Sequence, residues 1–121
     1  MTDVKARWRR NLSRWASSDD LDAKELRSDT AKAGCCPIAD AADREYVELQ
    51  GSLRTVTLRP RGGVPALEAE LYDGSGVITL IWLGRRRIAG VEPGRQVRVS
   101  GRIGVQEKAR VMYNPRYELR Y

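Results

Sequence analysis

Residues 67–84 read LEAELYDGSGVITLIWLG, two runs of alternating apolar residues on either side of Asp73-Gly74-Ser75-Gly76. A glycine-rich turn between such runs is the strongest short-range signal for a β-hairpin. With Gly74 and Ser75 as a two-residue loop, antiparallel partners keep a constant index sum. Leu71 then faces Ile78, Ala69 faces Leu80 and Leu67 faces Trp82. That face is wholly apolar. The other carries Glu68, Glu70, Tyr72, Val77, Thr79 and Ile81, which suits a wall whose outside is only partly wet. A three-residue loop would exchange the faces on one strand.

On the N-terminal side, residues 46–59 read as a long strand. Val47, Leu49 and Leu53 share one phase and Val56 and Leu58 the opposite one, so a bulge or bend near Arg54 and Thr55 must reset the register. Gly51 helps such a strand to curve. Residues 60–65, PRGGVP, form the loop into the hairpin. On the C-terminal side, residues 85–94, RRRIAGVEPG, are a connection with room for one helical turn. A fourth strand, 96–103, sets Val97, Val99, Gly101 and Ile103 against Arg98, Ser100 and Arg102. After a short loop, 104–109, a fifth strand runs from Arg110 to Tyr121, interrupted at Asn114-Pro115. Long strands that bend and change partners are what a small closed barrel requires.

The chain has 121 residues, enough for one domain with an appendage. Its net charge is +6, and the distribution matters more than the sum. Residues 1–45 carry nine charges of each sign, whereas residues 46–121 carry 13 basic and seven acidic groups. A basic β domain points first towards polyanions such as nucleic acid, with a solvated charged surface as the bland alternative. No run approaches the roughly 18 apolar residues of a membrane span, and no signal peptide is evident, so a cytoplasmic location and no membrane partner are expected.

The chain has no histidine, which removes Ser-His and Cys-His nucleophilic arrangements. Its two cysteines, Cys35 and Cys36, are adjacent and have no further Cys or His with which to complete a zinc site. They read as reduced thiols in a connecting segment, a redox role being the alternative. No metal or cofactor is implied and no constellation of acid, base and nucleophile appears, so a non-enzymatic protein is expected.

Residues 1–41 read as a helical extension and linker ahead of a β domain over 42–121. From Asp3 to Ala16, Val4, Trp8, Leu12 and Trp15 recur at helical spacing with Lys5, Arg9, Arg10 and Arg14 on the other faces. This stripe would dock on the β domain or on a second copy, or else contact a membrane surface or nucleic acid. A second, weakly anchored helix is expected from about Asp20 to Ala33, with Leu21 and Leu26 as its apolar positions and Gly34 as its stop.

Five strands, a bent first strand and a glycine within the fourth argue for a mainly β chain, a five-stranded Greek-key barrel of the OB type preceded by one or two N-terminal helices. The wording sharpens this. Leu71-Tyr72-Asp73-Gly74-Ser75-Gly76, Ile78-Thr79-Leu80-Ile81-Trp82, Pro93-Gly94, Val97-Arg98-Val99-Ser100-Gly101 and Met112-Tyr113-Asn114-Pro115 resemble, in that order, the OB module that forms the wedge domain of the helicase RecG. Related OB domains bind anticodons or single-stranded DNA, and the chain looks like small stand-alone actinobacterial OB proteins. The resemblance covers residues 42–121, and it departs where Leu83-Gly84 stand in place of the wedge's aromatic residue and Asn. No GxxxxGK[ST] motor motif is present.

OB folds hold nucleic acid on the outer face of strands two and three and on the loops joining strands one to two and four to five. The resemblance thus implies a surface made of Arg59 and Arg61, of Lys108 and Arg110, of Tyr72, Tyr113 and Arg116, and of Arg85, Arg86 and Arg87 at the hairpin's end. Glu68 and Glu70 on the same face oppose it. The favoured register points Trp82 into the interior, base stacking being the alternative, and Tyr113 is ambiguous in the same way. The expected partner is single-stranded or structured nucleic acid, with a protein partner or self-association through the N-terminal helix as the second class.

Overall fold

The central hairpin forms in the register that its alternation dictates, with Leu71 opposite Ile78, Ala69 opposite Leu80 and Leu67 opposite Trp82. All six of these side chains are buried. The computed structural model describes residues 21–31 and 34–120, so the amphipathic stretch 3–16 and Tyr121 lie outside the described residues. Its strands are β1 (Tyr46–Leu58), β2 (Ala66–Tyr72), β3 (Val77–Leu83), β4 (Gln96–Arg102), β5 (Gly104–Gln106), β6 (Ala109–Tyr113) and β7 (Arg116–Arg120). They make one mixed sheet in the order β5-β6-β3-β2-β1-β4-β7.

The turn of the hairpin is built on Asp73, which is fully buried. Its Oδ1 accepts from the backbone N–H of Ser75 (2.9 Å), the Ser75 hydroxyl (2.7 Å) and the backbone N–H of Gly76 (3.1 Å). Such a side-chain turn leaves Oδ2 free to act elsewhere, and it accepts from the N–H of Ile38 at 2.8 Å. The Ala39 N–H donates to Ser75 Oγ at 3.1 Å. One buried carboxylate thus fixes both the hairpin turn and the chain entering the sheet. Ile38, in a single 3-10 turn Ile38–Asp40, is fully buried, and Ala41 is buried beside it. The segment expected as a linker therefore contributes to the same core as the strands.

Strand β1 shows the expected reset. Leu53 pairs with Leu71 and Thr55 with Glu70, which leaves Arg54 as the extra residue of a bulge. Upstream of it β1 pairs along its length with β4, from Tyr46 opposite Arg102 to Ser52 opposite Gln96, and Ser52 also pairs with Tyr72 of β2. β1 is thus shared between two partners, and a Cβ on Gly51 would press on the Tyr72 carbonyl. Val97, Val99 and Ile103 are buried as the alternation requires. Gly101 is bare because Met112 of β6 lies against it: a Cβ there would stand 2.9 Å from the Met112 Cγ and Sδ.

Two features differ from the five-strand expectation. The stretch 104–109 is not a loop but the strand β5 and a two-residue turn, whose Glu107 and Lys108 both have positive φ (50° and 67°), as a type I′ hairpin turn demands. The last strand is divided at Asn114-Pro115, so that β6 lies parallel on β3 while β7 lies antiparallel on β4. Hydrogen bonds therefore do not close the ladder on itself, and β5 and β7 are its edges. Asn114 takes a left-handed conformation (φ 47°), and its Oδ1 accepts from the Leu83 N–H at 2.9 Å. The connection 84–95 contains turns and no helical turn, and it buries Ile88 and Val91. Because non-glycine residues strain a type I′ turn, Glu107→Asn with Lys108→Gly should stabilise the fold by about 0.5–1 kcal/mol, seen as a raised thermal midpoint.

Residues 21–31 form the helix α1. It ends in a Schellman arrangement, with the Gly34 N–H donating to Ala31 O and the Cys35 N–H to Thr30 O, both at 3.2 Å, and φ 73° at Gly34. Leu21 is exposed; the anchors are smaller. Ala23 is pressed against Gly74, where any Cβ would meet the Ala23 carbonyl, and the Thr30 hydroxyl donates to Gln50 O at 3.2 Å. Among the described residues no helix is long and apolar enough to cross a membrane.

Candidate nucleic-acid interface

The hairpin face made of Glu68, Glu70, Tyr72, Val77, Thr79 and Ile81 points outward and continues over the neighbouring strands. Pairing aligns Thr55 and Thr57 of β1 with Glu70 and Glu68 of β2, and Val111 and Tyr113 of β6 with Thr79 and Ile81 of β3. The surface is therefore four strands wide. Ala66, Ile81 and Val111 form a small second apolar cluster within it, which explains why Ile81 is fully buried on a face that alternation marks as outer.

At one end of this face the loop between β1 and β2 meets β6. Arg61 donates to Glu68 Oε1 through Nε (3.0 Å) and Nη2 (2.6 Å), and through Nη1 to the Tyr113 hydroxyl (3.2 Å). Gln106 Nε2 donates to the same hydroxyl at 2.7 Å. The Arg61 guanidinium stands 5.9 Å from the centre of the Tyr113 ring, and that ring remains 38% exposed. Hydrogen bonding to Glu68 holds the Arg61 pKa above its ordinary value, so the group is a permanent cation. Arg59 lies 4.0 Å from the other Glu68 oxygen with most of its side chain in solvent. Glu68 thus orients two cations at the cost of part of their charge.

The other candidates distribute unevenly. Lys108 is exposed in the β5–β6 turn. Arg85, Arg86 and Arg87 are exposed and leave β3 at the end occupied by the 59–65 loop, since the Gly84 N–H donates to Pro65 O at 2.7 Å. Arg85–Arg87 thus join Arg59, Arg61 and Tyr113 at one end of the face, whereas Lys108 precedes β6 at its other end, the one aligned with Val77. Arg110 is structural in its contacts: its Nε donates to Ala41 O and its Nη2 to Ala39 O, both at 3.0 Å, which pins the entering chain. Arg116 lies on the far side of the sheet, beside Glu48, Arg98 and Glu118. Tyr72 stands at the opposite end of β2, under the guanidinium of Arg54 at 3.7 Å. Trp82 belongs to the core at 5% exposure, with its Nε1 donating to Pro115 O at 3.1 Å and its ring edge-on to Tyr117.

Arg54 and Gln106 had no place in the sequence-based surface. A charged residue at the phase break of β1 was the available signal for Arg54; Gln106 offered none. The cysteines are free, and burial is the main cause that raises both thiol pKa values, which keeps them protonated and poorly nucleophilic. Among the described residues no group of three or more His, Cys, Asp or Glu is arranged to hold a metal ion.

No family model and no curated protein matches the sequence. Solved structures do share its architecture. RecG, in a structure bound to a three-way DNA junction, aligns with a TM-score of 0.61 and 20% identity over 70% of this chain and 12% of its own. The HINb domain of p204 aligns with a TM-score of 0.60 and 14% identity, over 75% of this chain and 49% of its own. At such identities the likeness is one of fold, and the chain spans well under two thirds of either structure.

Proposed function

We propose that this chain is a non-enzymatic nucleic-acid-binding module of the OB type, which takes single-stranded or branched DNA, or RNA, with little sequence preference. In this reading β1 to β4 are the first four strands of a Greek-key barrel, and β6 and β7 are two halves of the fifth. Asn114-Pro115 carries one half onto the edge of β3 and the other onto that of β4. The observation that carries the proposal is the meeting of Arg61 and Tyr113, 52 residues apart, on an outer sheet face with Arg59 and Arg85–Arg87 at the same end. Guanidiniums contact phosphate and a half-exposed ring stacks a base for about 1–3 kcal/mol. RecG's structure with a DNA junction supports the same direction.

Titration of labelled single strands and junctions at several salt concentrations tests the proposal. Three to five phosphate contacts give a slope of log affinity against log salt of about −2 to −4 for a single strand. Arg61→Ala and Tyr113→Ala should each weaken binding with the fold intact. Absence of binding to either substrate at low salt rejects the proposal. A second reading, a protein-interaction module, is favoured by the exposed Leu58, Val64 and Leu83 at the same end of the sheet. An apolar contact of that kind is nearly indifferent to salt, whereas phosphate contact falls steeply with it.

A further inference from the structure

Tyr72 and Tyr113 mark opposite ends of the outer face. Tyr72 pairs with Val77 and Tyr113 with Ile81, four residues or about 13 Å further along β3. Each ring has a guanidinium over it, Arg54 at 3.7 Å and Arg61 at 5.9 Å from the ring centre. By chemistry alone the two ends are alternative stations for a base and its phosphate. Their surroundings are not alike.

The Arg54/Tyr72 end opens into a cleft of about 620 Å3 whose other wall is α1. Asp22, Glu25 and Asp29 line that cleft, and their spacing of three and four residues puts them on one helix face. None of the three carboxylates forms an ion pair with another described residue. The helix is also held in place. Arg27 Nη1 donates to Gly74 O at 3.0 Å, the Thr30 hydroxyl to Gln50 O at 3.2 Å, and Ala23 packs on the bare Gly74. A phosphate approaching Arg54 therefore enters a cleft walled by three carboxylates, whose charges act over roughly 10 Å at moderate salt.

Resting on the nucleic-acid reading, we infer that α1 closes the Arg54/Tyr72 end to polyanions and confines a bound strand to the Arg61/Tyr113 end. Asp22, Glu25 and Asp29 are then the residues that set the length of strand engaged. Arg54 is held ready but screened.

The test compares the full chain with Asp22→Asn/Glu25→Gln/Asp29→Asn on labelled oligothymidylates of increasing length across a salt series. The neutralised protein should bind about fivefold more tightly at low salt, need a longer oligonucleotide to saturate, and show a slope steeper by about 0.7, the signature of one more phosphate contact. Adding Arg54→Ala should return all three to the wild-type values. Glu25→Lys, at an exposed position, is an independent variant that shifts them in the same direction. If wild type binds and the neutralised protein matches it in affinity and slope, this inference falls while the binding proposal stands. A gain that survives Arg54→Ala also overturns it, since the effect would then be one of overall charge. If neither protein binds, the binding proposal fails and takes the inference with it.

Discussion

Asp73→Ala should lower the free energy of unfolding by about 3–5 kcal/mol, read from urea denaturation followed by tryptophan fluorescence. The carboxylate accepts from three groups of the hairpin turn and from Ile38 while fully shielded from water. Removing it leaves the Ile38 N–H without a partner in an apolar setting and frees a turn on which the whole hairpin register depends. Hydrogen bonds to a charged group contribute about 1.5–3 kcal/mol each, but those within one turn are not additive, so the total stays below their sum. Asp73→Asn separates the two roles. Whichever way the amide turns, one carboxylate acceptor is lost, so the variant should fall between wild type and Asp73→Ala. An Asp73→Ala protein within about 1 kcal/mol of wild type would mean that the turn is specified by Gly74 and Gly76 alone.

Trp82→Ala should cost about 3–5 kcal/mol as well, for a different reason. It opens a cavity among Leu67, Tyr117 and the Pro115 carbonyl, and it deletes the indole N–H that reaches across to the last strand. For a protein whose total stability is of order 5–15 kcal/mol this is a large fraction, visible as a drop of roughly 15 °C in thermal midpoint. Binding by the fraction still folded should be unchanged, because the ring does not reach the outer face. A stable Trp82→Ala protein with weakened oligonucleotide affinity would sink the core assignment.

The parts of the fold that were legible are those written as local alternation. The hairpin register follows from residues 67–84, the bulge at Arg54 from the phase change between Leu53 and Val56, and the role of Gly101 from its place in an apolar row. Polar contacts at long sequence separation left no such trace. Nothing in the spacing of residues marks Asp73 as the partner of Ile38, Arg110 as the clamp on Ala39 and Ala41, or Thr30 as the hydroxyl over Gln50. For that reason the stretch before β1 reads in the sequence as a linker although it carries the core residues Ile38 and Ala41. The same blindness shaped the candidate surface. The OB placement of strands and loops groups Arg110 and Arg116 with Arg61, whereas hydrogen bonding sends the first to the entering chain and pairing sends the second to the far side of the sheet. Tyr72 is legible as a hairpin aromatic, but its guanidinium neighbour and its acidic surroundings follow from the folded positions of Arg54 and α1.

Residues 109–120 serve two distant partners with one short run of chain, the rim of β3 and the rim of β4. A growing polypeptide offers neither rim its neighbour until that run has been made. From the time β3 and β4 form until that run pairs with them, two rows of amide and carbonyl groups stay open to whatever strand drifts past. Residues 109–120 thus act as a seal on both rims, and a chain that folds without them presents two open templates for pairing with another chain.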